Sequence, residues 1–132
     1  RKVDIFDHEI LIVPVHQQMH WCMAIIDLKM KTMEYYDSML GNDPQVLRLL
    51  KQYLIEESQD KKKTPFVYDI DWIFETRKDI PTQQNGSDCG MFACKFADFA
   101  ARRQPITFDQ QHMPYYRKRM VYQLVRGDLN AH

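Results

Sequence analysis

Cys89 follows the run Gln83-Gln84-Asn85-Gly86-Ser87-Asp88, precedes Gly90, and opens an amphipathic helical pattern. A thiol in that setting can become a nucleophile. The first N–H groups of a helix are unpaired and its N-terminal end is positive, and both favour thiolate over thiol. Gly86 and Gly90 let the backbone turn tightly and let a substrate come close. Ser87 or Asp88 can cap the helix. A buried packing cysteine would need no such flanks; Cys94, in the middle of the helical pattern, fits that role better.

A thiolate nucleophile needs an imidazole beside it and an acceptor to hold the ring. Among five histidines, His132 is terminal, His8 and His16 lie near strand ends, and His112 suits a helix cap. His20 begins a strand-like run that pairs with the next strand in a hairpin. With the turn near Lys29, position 20 faces positions near 37 to 39, so Asp37 comes within side-chain reach. Asp27 lies about 23 Å along the strand at roughly 3.3 Å per residue and is excluded. Cys22 shares a strand face with His20 but has no helix end or donor loop. The Cys89 N–H and the side-chain amide of Gln83, Gln84 or Asn85 are candidate donors to a developing oxyanion.

The elements that must position these groups follow from periodicity. Ile10–Val13 reads as a buried strand ending near Pro14. His20–Leu28 reads as a strand with Trp21, Met23 and Ile25 on one face and Cys22, Ala24 and Ile26 on the other. Thr32–Asp37 is the third strand. A helix capped by Asn42 or Asp43, with Pro44 in its first turn, buries Val46, Leu47, Leu50, Tyr53 and Leu54. Gln59–Pro65 is a charged loop, and the aromatic segment 66–74 holds a strand near Trp72-Ile73-Phe74. Ile80–Asp88 is a loop. The helix Cys89–Arg103 buries Phe92, Ala93, Phe96, Phe99 and Ala100. Asp109 or Pro114 opens a last helix with Met113, Tyr116, Met120 and Leu124 inward. The class is α+β, a mixed sheet between helices.

Composition sets the frame. The chain has 132 residues, one domain or part of one, and its 45% apolar content can build a core. Eighteen basic and eighteen acidic residues cancel, which points to neither a nucleic-acid nor a membrane partner. Lys61-Lys62-Lys63, Arg102-Arg103 and Arg117-Lys118-Arg119 read as solvated surface. Three cysteines fit a reducing compartment, and there is no zinc spacing. The longest apolar run is too short to span a bilayer. The chain lacks an initial methionine, and strand-like sequence follows almost at once, as expected for a piece of a longer protein.

Taken in order, His20-Trp21-Cys22, Tyr35-Tyr36-Asp37-Ser38-Met39, Gln83 through Phe92, and Gln110-Gln111-His112-Met113-Pro114-Tyr115 resemble the Ulp/SENP family of SUMO-specific cysteine proteases. The likeness covers nearly the whole chain and is nearest to the nuclear sentrin-specific members. It implies a papain-like fold of the Ulp type, with residues 1–132 forming the C-terminal part of a single catalytic domain. It implies Cys89 as nucleophile, His20 as general base, Asp37 as orienter and Gln83 at the oxyanion. Trp21 would cover a tunnel for the modifier's C-terminal Gly-Gly. The expected activity is thiol endopeptidase and isopeptidase: precursor processing and release of SUMO from target lysines. The alternatives are a protease for another ubiquitin-like modifier and a non-catalytic SUMO-binding fragment. Expected further are a monomer, a nuclear location including the nuclear envelope, SUMO and its conjugates as partners, and no cofactor or metal. Thr82, Gln84 and the insertion of Leu40 before Gly41 depart from the family pattern.

Overall fold

The fold is built on a hairpin whose turn has no glycine. In the computed structural model, which describes residues 3–63, 66 and 71–130, strands β1 (Ile10–Gln17), β2 (His20–Asp27) and β3 (Thr32–Tyr36) form an antiparallel meander. The β2–β3 turn is instead made by Asp27, whose carboxylate accepts hydrogen bonds from the N–H groups of Lys29 (3.1 Å) and Met30 (2.8 Å). Lys31 takes the left-handed conformation, φ 58°, that glycine would adopt more cheaply. β4 (Ile73–Thr76) adds to β3 in parallel, giving the order β1-β2-β3-β4 and a mixed sheet as expected.

Pro14 does not end β1. The strand runs to Gln17, with Pro14 inside it opposite Met23. The edge position explains this: β1 has a sheet neighbour on one side only, so a residue without an N–H costs no ladder bond on the open side.

Both faces of the sheet are covered. On one, Met23 and Ile25 of β2 pack against Met91, Phe92, Ala93 and Phe96 of α2 (Cys89–Ala101) and Met113 of α3 (Met113–Arg126). On the other, Cys22, Ala24, Ile26 and Tyr35 meet Val46, Leu47, Leu50 and Leu54 of α1 (Pro44–Lys61). The two β2 faces therefore divide as their alternation requires, and six of its eight residues are buried. Phe92 and Phe96 are almost wholly enclosed, each stabilising the α2–β2 contact by roughly 1.5–3 kcal/mol.

Helix starts follow local chemistry. Asp43 accepts from the N–H groups of Gln45 and Val46, with Pro44 in the first turn. Asp109 and His112 form a reciprocal cap on a short 3-10 turn (Gln110–His112) leading into α3, so both expected openings of the last helix are used. α3 ends at Gly127, φ 65°. Three expectations need correction. α1 continues through Lys61, into the segment read as a charged loop; positions 64–65 of that loop lie outside the described residues, as do 67–70 of the aromatic segment. Tyr53 and Leu124 are exposed rather than inward, and neither joins a core cluster. Cys94 is exposed on α2, not a packing residue. No helix among the described residues is long and apolar enough to cross a membrane.

Candidate active site

The hairpin register decides which carboxylate meets His20. Paired positions of β2 and β3 run from Asp27↔Thr32 to Met23↔Tyr36. One step further places Asp37 opposite Cys22 and diagonal to His20, within reach across an antiparallel pair. His20 Nε2 lies 2.6 Å from Asp37 Oδ1. Asp27, at the far end of the same strand, is engaged by Arg103 instead, as the strand length requires.

Asp37 is buried and held from three directions. Its Oδ1 also accepts from the Met39 N–H at 2.8 Å, and Oδ2 accepts from the Gly41 N–H at 3.1 Å. Donors on both oxygens fix the carboxylate plane, so the remaining lone pair of Oδ1 faces the imidazole. The turn that provides these donors closes with Leu40 N–H to the Asp37 carbonyl at 2.8 Å. Leu40, the inserted residue, pays for that closure with a left-handed backbone, φ 56°, a strain of about 1–2 kcal/mol. Lys78 donates to the carbonyls of Leu40 and Gly41, at 2.6 and 3.2 Å.

With Nε2 turned to Asp37, His20 keeps Nδ1 for a second partner. A carboxylate that accepts from Nε2–H sets the tautomer with a basic Nδ1. The donor atoms of His20, Cys22 and Asp37 all lie within 4.8 Å of one another. Burial, above all, pushes the Cys22 thiol up to about 11, with Asp37 and Cys89 adding to the effect. Cys22 is therefore a closed-off thiol at neutral pH, whereas Cys89 is partly exposed. A metal on this trio would have to break the His20–Asp37 bond and take the Cys22 proton.

Cys89 opens α2 as the sequence suggests, with Asp88 at the cap position. Asp88 does not cap, however; its side chain makes no bond to the first-turn N–H groups. It is buried and accepts from Asn85 Nδ2 (2.8 Å), Gln110 Nε2 (2.9 Å) and Arg117 Nε (2.6 Å). These partners, Asn85 first, hold its carboxyl below the usual range against the opposing effect of burial. Gln110 also accepts from the Gln84 N–H, and Arg117 donates to the Ser87 carbonyl, both at 2.8 Å. The loop before Cys89 is thus strapped to the start of α3. Neither Gly86 nor Gly90 has a positive φ, so tight turning is not what they supply; the space above both is open, which leaves the close-approach role.

Gln83 is anchored at the end of β3. Its N–H bonds the Ser38 carbonyl at 2.9 Å, and its side-chain oxygen accepts from the Ser38 hydroxyl. Its Nε2 donates to the Asn85 carbonyl. Of the rival donors, Asn85 has its side-chain amide engaged by Asp88, and the backbone N–H of Gln84 is taken by Gln110. Trp21 is 44% exposed, which rules out core packing, and it lies on His16 with ring centroids 4.6 Å apart.

The sequence reading missed Ser38, Gln110 and Arg117. Arg117 belongs to a basic cluster that reads as solvated surface, as does Arg103, which pairs with Glu9 and buried Asp27. Nothing in a basic cluster marks which member pairs with a buried acid; an acid beside a candidate nucleophile, Asp88, is the signal to look for one.

Residues 1–128 match the model of the Ulp1 protease family, C-terminal catalytic domain. The chain belongs to the Ulp1 protease family. A sentrin-specific protease of Caenorhabditis elegans is 53% identical over 131 residues, 99% of this chain and 19% of that protein. The C-terminal Ulp1 protease domain solved in complex with Smt3, the yeast orthologue of SUMO, superposes with a TM-score of 0.75 at 25% identity over 94% of this chain and 55% of that one. The SUMO protease Ulp1 with its catalytic cysteine oxidised to a sulfonic acid gives 0.78 at 26% identity, covering 97% and 58%. This Ulp1-family chain therefore spans about a fifth of the curated relatives' length and little over half of the solved domains.

Proposed function

We propose that this chain carries the catalytic centre of a thiol protease that hydrolyses the bond after the C-terminal Gly-Gly of SUMO, in precursors and in conjugates to target lysines. The observation that carries the reading is the 2.6 Å bond from His20 Nε2 to Asp37, which leaves Nδ1 basic while a partly exposed Cys89 heads the helix packed on the same strand. Family membership and sentrin-specific relatives supply the substrate class.

In this mechanism the Cys89 thiol passes its proton to His20 Nδ1, and Asp37 stabilises the imidazolium. The thiolate sulfur bonds to the glycine carbonyl carbon, and the carbonyl π electrons move to oxygen. The Cys89 N–H and Gln83 Nε2 donate to that oxyanion. Collapse breaks the C–N bond, and the amine leaves with the proton from His20. His20 then deprotonates a water that attacks the thioester, releasing the glycine carboxylate and restoring Cys89. Trp21, exposed beside His20, is the cover over the Gly-Gly segment: a flat indole leaves room for a chain without side chains and little else. Localisation to the nucleus and action as a monomer on SUMO conjugates complete the proposal.

The test is labelling of the full-length protein by SUMO ending in an electrophile. An adduct mapped to Cys89 and abolished by Cys89→Ala supports the assignment. An adduct on Cys22, or unchanged precursor cleavage by Cys89→Ser, overturns it. Reaction only with probes built on another ubiquitin-like modifier keeps the chemistry and rejects the substrate.

A further inference from the structure

We propose that Ser38 is a positioning residue for the oxyanion donor: its hydroxyl anchors the oxygen of the Gln83 side-chain amide, holding in place the nitrogen that the Asn85 carbonyl selects. The inference rests on the assignment of Gln83 to the oxyanion.

A primary amide can be turned end for end at little cost, and only one orientation presents N–H groups to an oxyanion. Here the hydrogen-bond network selects it. The Asn85 carbonyl has no proton and can only accept, so the Gln83 group facing it is the nitrogen. The oxygen must then lie on the Ser38 side, where the hydroxyl donates to it. Reversing the amide would set two oxygens against each other at Asn85. Nε2 carries two hydrogens; one goes to Asn85, leaving a second to donate.

Ser38 is suited to the task because it is rigid. It is 1% exposed, and its carbonyl accepts from the Gln83 N–H at 2.9 Å, so both ends of Gln83 are tied to one residue. Ser38 also follows Asp37 directly. Both lie just past the end of β3, so one dipeptide holds the ring of His20 with one residue and the amide of Gln83 with the next. A shift of the β3 end would misplace base and oxyanion donor together.

The experiment compares Ser38→Ala, Gln83→Ala and the double variant of the full-length protein in cleavage of a SUMO precursor, and in alkylation of Cys89 by iodoacetamide. Alkylation displaces iodide at a saturated carbon and forms no oxyanion, so it reads the thiolate alone. Losing an oxyanion donor outright costs about 100-fold or more in kcat; loss of its orientation is expected to cost roughly 10-fold, with KM and the alkylation rate unchanged. In the Gln83→Ala background, Ser38→Ala should have no further effect. The Gln83 side-chain NH₂ signals, sharp in nitrogen-edited NMR spectra of the parent, should broaden in Ser38→Ala, a readout independent of turnover. The proposal is overturned by a kcat that does not fall, by multiplying effects in the double variant, or by alkylation falling in step with kcat. Turnover surviving in Cys89→Ala would instead remove the reading on which it rests.

Discussion

At the scale of single residues, the carboxylate of Asp37 is buried and tightly held. Its two oxygens accept from His20, Met39 and Gly41, leaving it one workable position. Gly41 matters for a reason other than flexibility: a Cβ there would stand 2.3 Å from Asp37 Oδ2. No side chain fits without displacing the carboxylate or the turn. Gly41→Ala is therefore expected to lower kcat by about 10-fold or more through loss of ring orientation, while Cys89 remains present and titratable by thiol reagents. A variant with wild-type kcat would mean that the carboxylate can move without cost. The insertion of Leu40 finds its explanation here too. Its left-handed backbone brings the Gly41 N–H round to Oδ2.

At the scale of elements, α2 and α3 are joined at the nucleophile by one buried acid. Asp88 draws in Asn85 from its own loop, Gln110 from the 3-10 turn before α3 and Arg117 from α3 itself. Arg117 is the only one of the three with a charge. Removing it leaves a buried carboxylate with neutral donors alone beside Cys89. Arg117→Ala should destabilise the protein by about 1–3 kcal/mol, read as a lower urea midpoint, and should reduce turnover as the loop loosens. Asp88→Asn in the same chain should recover part of the lost stability, because the group no longer needs a counter-charge. Additive losses in the pair would show that the two residues act separately.

At the scale of the molecule, several carboxylates are held below their usual range by cationic or amide partners. Asp4 is lowered by Lys62, Glu9 by Arg103 and Asp79 by Arg77. At Asp98 burial opposes, but Arg102 and Lys95 outweigh it; Asp88 is lowered by Asn85, Gln110 and Arg117. A carboxyl lowered in the folded state binds protons more weakly there than in the unfolded chain. Its contribution is fully present above the unfolded value, near about 4, and is lost as pH falls through the folded one. The melting temperature should be flat above about pH 5–6 from these groups and fall below about pH 4.5. Most of the pairs are exposed, so added salt should reduce that slope. A melting temperature that rises on acidification would contradict the ion-pair assignments.

Sequence and structure divide the description of this protein along a physical line. Periodicity, caps and hairpin arithmetic need only local rules, and they determined the strands, the helix beginning at Cys89, and the choice of Asp37 over Asp27 as partner of His20. That last inference succeeded because register is fixed once a turn and a buried face are fixed. Tertiary structure alone decided which members of a charged cluster reach a buried carboxylate, as Arg117 and Arg103 do; that a proline can stay within β1 because the strand is an edge; and that Cys94 faces outward. It alone brought Ser38 to Gln83 and Gly41 against Asp37, since such contacts depend on where strands end and loops return. Local rules set the shape of each segment; only packing of the whole chain sets which side chains from distant segments meet.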